Sequence, residues 1–126
     1  MTDRIKLVQG DTLPLLVVSI FNDQMTDPTD LRGATVRLKF REAGSSTVKE
    51  TIVGTLMQGY DNGSGVINSD PPYHLPDGRG GRVQFNWDSD ALDTAGSFEG
   101  EVEVTFPNGL VQTVYEKLKF GVREQF

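Results

Sequence analysis

The sequence predicts an all-β fold, an antiparallel sandwich of about seven strands forming a single domain over residues 1–126, and three observations carry that expectation. Apolar and polar residues alternate with a period of two in two separate stretches, Val36 to Arg41 and Phe98 to Thr105. That period sends successive side chains to opposite faces of an extended chain, so each stretch is a strand with one buried face. No stretch repeats apolar residues at spacings of three and four, as a packed helix requires. Fourteen glycines and six prolines, set among many β-branched residues, punctuate the chain at short intervals and mark turns between strands.

The first strand is expected over Arg4 to Gln9, where Ile5 and Leu7 alternate with Lys6 and Val8. Gln9-Gly10-Asp11-Thr12 turns the chain into Leu13 to Phe21, a run apolar at almost every position. Such a run predicts a strand covered on both faces, with Pro14 tolerable near its start. Asn22 to Asp30 is polar and holds the turn former Asp27-Pro28. Ala34 to Glu42 is the next strand, with Val36, Leu38 and Phe40 inward and Arg37, Lys39 and Arg41 outward. Ala43-Gly44-Ser45-Ser46 then closes a hairpin onto a return strand over Thr47 to Leu56.

Gln58 to Gly81 is expected to be mostly loop, with a brief strand at Val66-Ile67. Pro71, Pro72 and Pro76 remove backbone donors and fix φ, which rules out regular structure around them. Arg82 to Trp87 follows as a strand with Val83, Phe85 and Trp87 on one face. Trp87 is the expected central aromatic, buried with Phe85 and Phe98. Leu92 is expected to plug the core from the polar connection over Asp88 to Ala95.

Gly96 to Val122 reads as a long hairpin around which the rest of the core is organised. Phe98, Gly100, Val102, Val104 and Phe106 share one face of its first arm, and Glu99, Glu101, Glu103 and Thr105 share the other. Phe106-Pro107-Asn108-Gly109-Leu110 closes it, because Asn-Gly supplies the positive φ that tight hairpin turns need. Glu116 falls where the return arm requires an apolar residue, so a bulge is expected at Tyr115 to Lys117. Short strands of this kind, without a fixed repeat, predict a sandwich of immunoglobulin-like type.

Charge and composition exclude several classes of function. A net charge of −6 argues against nucleic-acid binding, which calls for a basic patch. The absence of cysteine removes disulfides, thiolate metal sites and cysteine nucleophiles, and fits synthesis in a reducing compartment. No signal peptide is apparent at Met1-Thr2-Asp3-Arg4-Ile5, and the longest apolar run is about half a membrane span. A membrane partner is therefore not expected.

No catalytic, cofactor or metal-binding residue is expected either. His74 is the sole histidine, sits between prolines, and has no serine elbow to serve. The oxygen-rich stretches Asp61-Asn62-Gly63-Ser64 and Asp88-Ser89-Asp90 with Asp93 lack the twelve-residue calcium loop and read as turns. Asn62-Gly63-Ser64 matches the glycosylation acceptor pattern, and with no signal peptide apparent the match is expected to be chance. Gly78-Arg79-Gly80-Gly81-Arg82 lacks the lysine and the strand-to-helix setting of a phosphate loop, and reads as flexible.

Arg37, Lys39 and Arg41 form a basic ladder, and Glu99, Glu101 and Glu103 an acidic one of equal pitch. On neighbouring strands they would pair; on opposite sheets they would make one basic and one acidic face suited to stacking. Both arrangements are open at the level of sequence. The candidate partner interface is the proline loop, through Tyr60, Pro71, Pro72, Tyr73 and Leu75. Prolines reduce the entropy lost on docking, and tyrosines supply contact area with few rotors. The alternative is that Tyr73 and Leu75 plug an open end of the sandwich.

Five stretches in order carry a resemblance to a known family: Ile5 to Asp11, Asp30 to Val36, Gly81 to Trp87, Ala95 to Glu101, and Phe106-Pro107-Asn108-Gly109 leading to Gln112-Thr113-Val114. The chain resembles the immunoglobulin-like N-terminal domain of the baseplate upper protein of tailed bacteriophages, in a stand-alone version. The resemblance implies a virion building block made in the host cytoplasm. It also implies no enzyme activity or cofactor, and partners that are other phage structural proteins, with the chain in several copies or as a homo-oligomer. Tail, baseplate or neck is the expected position. The sequence ends at Phe126 without a receptor-binding extension, so direct host binding is not expected. The alternatives are a capsid decoration protein and a carbohydrate-binding sandwich, the latter through Tyr60, Tyr73 and Trp87.

Overall fold

The computed structural model describes residues 4–22, 27–88 and 90–126. Every regular element among them is a strand: β1 (Ile5–Val8), β2 (Leu16–Ser19), β3 (Thr35–Glu42), β4 (Glu50–Val53), β5 (Thr55–Leu56), β6 (Tyr60–Asp61), β7 (Ile67–Asn68), β8 (Arg82–Phe85), β9 (Gly96–Thr105), β10 (Val111–Thr113) and β11 (Leu118–Arg123). The larger sheet runs β1-β11-β9-β3-β4, with β10 also paired to β9. A second sheet runs β2-β8-β5, and β6 and β7 form a separate ribbon. Both larger sheets bury their inner faces in one apolar core, which makes the fold an all-β sandwich.

Eleven strands replace the expected seven for identifiable reasons. The strand expected over Thr47 to Leu56 changes sheets at Gly54, so β4 pairs β3 while β5 pairs β8. A Cβ at Gly54 would collide with Val83 and Phe85, so only glycine allows the crossing. The return arm of the long hairpin is split as well. Thr113 faces Glu103, whereas Leu118 faces Gly100, so four residues on one arm stand against two on the other. The expected single-residue bulge is thus an excursion with two extra residues, which carries Glu116 out to solvent without changing the face of Leu118 and Phe120. The remaining two additions lie in the region expected to be mostly loop: β7 answers to the brief strand expected at Val66-Ile67, shifted by one residue, and β6 is its partner.

Pairing is antiparallel in every ladder but one. β1 lies parallel to β11, the one parallel ladder in the antiparallel sandwich that the sequence predicts. Hairpins enforce antiparallel pairing, and these two strands are separated by almost the whole chain, so no hairpin constrains them. One correction concerns Leu13 to Phe21. Only Leu16–Ser19 is strand, and it is covered on one face: Leu16 and Ile20 are buried, while Leu13, Leu15 and Val17 are exposed. The strand pairs β8 alone among the described strands and lies at a sheet edge, where no layer covers its outer side.

Phe40, on the interior strand β3, is the hub of the core. Its ring stacks on Phe98 at 4.9 Å and meets Trp87 at 5.2 Å and Phe120 at 5.3 Å. Trp87 is 4% exposed, and its Nε1 donates to the Pro14 carbonyl at 3.1 Å. Trp87 lies beyond the end of β8, however, and the centre that sequence gave to it belongs to Phe40. Gly100 makes room for this cluster, since a Cβ there would stand 2.8 Å from the Phe120 ring and 2.9 Å from Leu38. Ala91 and Leu92 are fully buried, so Leu92 plugs the core as expected.

Candidate interaction surface

The two charged ladders are neighbours. In the β3–β9 register Arg37 faces Glu103, Lys39 faces Glu101 and Arg41 faces Glu99, so the arrangement with separate acidic and basic faces is excluded. Contacts run partly on the diagonal. Lys39 reaches Glu103 at 2.9 Å, Arg41 reaches Glu99 at 3.2 Å, and Arg37 donates to Thr105 Oγ1 at 3.4 Å. Lys117, from the excursion, stands 3.6 Å from Glu99. Partial burial raises the carboxyl pKa of Glu99, but the Arg41 hydrogen bond and the charge of Lys117 outweigh it, leaving a net downward shift. Mixed signs on one face leave it little net field for steering a partner.

The proline loop is tied down at its base. Gly59 donates to the Tyr73 carbonyl, Gly78 to Met57, and Leu31 to Gly78. Tyr60 and Tyr73 are half-buried with rings 5.1 Å apart, and Phe21 meets Tyr60 edge-on at 6.4 Å. Pro71, Pro72 and Leu75 point outward, Leu75 being 51% exposed. The structure therefore divides the five candidate residues, with the tyrosines packed together and the other three at the surface. Gly78, Gly80 and Gly81 correct the expectation of a flexible glycine loop. All three are buried, and a Cβ on Gly80 would overlap the Gly59 carbonyl. These glycines allow close backbone approach.

The oxygen-rich stretches use their acceptors locally. Asp61 Oδ1 accepts from Gly63 N at 2.9 Å, and Asn62 Oδ1 from Ser64 N at 3.1 Å. Asp88 Oδ1 accepts from the backbone of Asp90 and Ala91, while Ser89 lies outside the described residues. Asp93 pairs with Lys49, whose hydrogen bond is the main cause of its lowered carboxyl pKa. Asp30 is likewise lowered, chiefly by its hydrogen bond with Arg32. His74 is exposed.

A cleft of about 600 Å³ opens over β1 and β11 and is lined by Arg4, Lys6, Ser97 and Arg123 among others. A second cleft of about 380 Å³ lies between β2 and the β10–β11 excursion, with Val18, Phe21, Val114 and Tyr115 in its walls. Sequence reasoning passed over this flank. Its signal was present, since residues 12–22 contain no charged side chain. Apolar residues on both faces of Leu13 to Phe21 predict an interior strand, whereas β2 forms an edge.

No helix of the described residues is long and apolar enough to cross a membrane. No protein-family model matches the chain, and comparison with curated proteins finds no match.

Proposed function

We propose that this chain is a non-enzymatic structural module of a tailed-phage particle, an immunoglobulin-like sandwich in the tail, baseplate or neck that acts through contacts with other structural proteins. The observation that carries the reading is the apolar surface left at the strand edges. Val17 on β2 and Leu13 and Leu15 just before it are exposed, as are Leu110, Val111 and Tyr115 on the neighbouring return arm. Apolar side chains clustered at an open edge are what an assembly covers. Strand order supports the immunoglobulin-like part: β2-β8-β5 and β4-β3-β9-β11 follow the B-E-D and C′-C-F-G orders of that arrangement. The residues of the resemblance also meet in space, since Gly33 of Asp30 to Val36 packs against Pro107 of the hairpin turn. The carbohydrate-binding alternative loses Trp87, which is buried, and its two tyrosines are half-covered by each other.

The test is location. Antibody labelling of purified particles, read by electron microscopy, should place the protein on the tail, baseplate or neck. Label spread over the shell selects the decoration protein instead. Particles that lack the protein altogether end the virion reading.

A further inference from the structure

We infer that the free edge of β2 pairs with the β2 edge of a second copy of this chain, in an antiparallel two-fold seam that joins the two smaller sheets into one. This deepens the assembly reading by naming a partner, and rests on that reading only in taking the chain to work through protein contacts.

The edge is open and correctly oriented. Among the described residues β2 pairs only β8. Ile20 donates to the Gly81 carbonyl on the β8 side at 2.8 Å. Bonded positions alternate along an antiparallel strand, so Val17 and Ser19 turn their N–H and C=O groups towards the free edge.

Sequence chemistry names the occupant. Strand edges are ordinarily guarded by lysine, proline or a bulge. Here residues 12–22 are uncharged in a chain that is 24% charged, and Pro14 guards only the approach to the strand. A two-fold seam sets a strand against itself, so any charge would face a like charge. Among the other outer edges of the two larger sheets, β1 carries Lys6, β4 carries Glu50, the uncharged β10 is only three residues long and β5 only two. β2 is the four-residue edge that meets its own copy without repulsion. A foreign strand would be chosen by complementary charge, and this edge offers none.

The adjoining flank supports the same seam. The cleft of about 380 Å³ opens beside β2, and Tyr115 stands 93% exposed at its wall. An isologous contact brings one cleft and one Tyr115 from each copy to the same place; the cleft also carries Glu116, and the apolar part of its lining, Val18, Phe21 and Val114, is where a tyrosine would anchor.

Sedimentation of the purified chain up to about 0.5 mM, where even millimolar affinity leaves a visible dimer, tests the inference. The wild-type chain should sediment as a concentration-dependent dimer. Val17→Lys should weaken association at least about tenfold, the factor that 1.4 kcal/mol represents, by opposing lysines across the seam. Val53→Lys, at an exposed position on β4, should not. The chain has no native cysteine, so a lone Val17→Cys reports the seam directly. It should crosslink to its twin with a short bismaleimide, and Val53→Cys should not. That readout decides the matter if Val17→Lys fails to fold. A wild-type chain monomeric throughout overturns the inference, as does a dimer indifferent to Val17→Lys or one in which Val17→Cys stays uncrosslinked. Particle labelling reads the assembly proposal separately, so the two can fail independently.

Discussion

At the scale of single residues, two side-chain choices hold the core together. Phe40 touches three other aromatic rings, and Trp87 closes the group from beyond the end of β8. Trp87→Ala leaves a cavity against Phe40 and Phe120 and should lower unfolding free energy by about 3–5 kcal/mol, as denaturant titration would measure. Acrylamide should quench the native tryptophan emission only weakly; ready quenching would place the ring at the surface. The glycines allow a sharper comparison. Gly80→Ala drives a methyl into the Gly59 carbonyl and should cost roughly 1–3 kcal/mol or more. Gly63, with φ +97° and nothing within 4 Å, meets only backbone strain, and its alanine variant should cost about 1–2 kcal/mol. Equal midpoints for the two would show that steric overlap is not the reason for Gly80.

Elements raise different questions, because strands share charges. The Glu99 carboxyl titrates below its ordinary range in the fold, so its pairing stabilises the protein above the unfolded value of about 4.5. That stabilisation is lost as pH falls through the lower folded value. Asp30 and Asp93 shift in the same direction and act in the same acid window. The melting temperature should therefore fall as pH drops below about 4.5, and Glu99→Gln should flatten part of that fall. A profile unchanged by Glu99→Gln would remove Glu99 as the cause. The proline loop can be divided in the same manner. Tyr73→Ala breaks a ring contact and should lower the melting temperature, whereas Leu75→Ser, at an exposed position, should stay within about 0.5 kcal/mol. A large loss at Leu75 would restore the plug reading.

For the molecule as a whole, one apolar cluster draws residues from both larger sheets, such as Val36 on β3 and Val83 on β8. Neither sheet keeps an independent core, so unfolding should be a single transition. Tryptophan fluorescence reports the aromatic cluster and far-ultraviolet circular dichroism the sheets, and their melting curves should coincide. Separated midpoints would mean that the sheets come apart in stages. The long hairpin dominates this architecture, as its sequence indicates, because β9 pairs with β3 on one side and with β10 and β11 on the other.

The sequence by itself determined the fold class and the strands whose inner and outer faces differ. Val36 to Phe40 and Phe98 to Val104 are read correctly because their alternation is a local property of an extended chain. Leu92, the hairpin turn and the irregular proline loop were legible for the same reason. Tertiary structure decided what depends on neighbours. An apolar run looks alike in a covered strand and on an open edge, so the exposure of Leu13, Leu15 and Val17 had no local signature. The crossing at Gly54 and the parallel placement of β1 depend on residues distant in the chain. The ladders carried two readings until register set Arg41 against Glu99, because pairing is a relation between strands and neither ladder contains it alone.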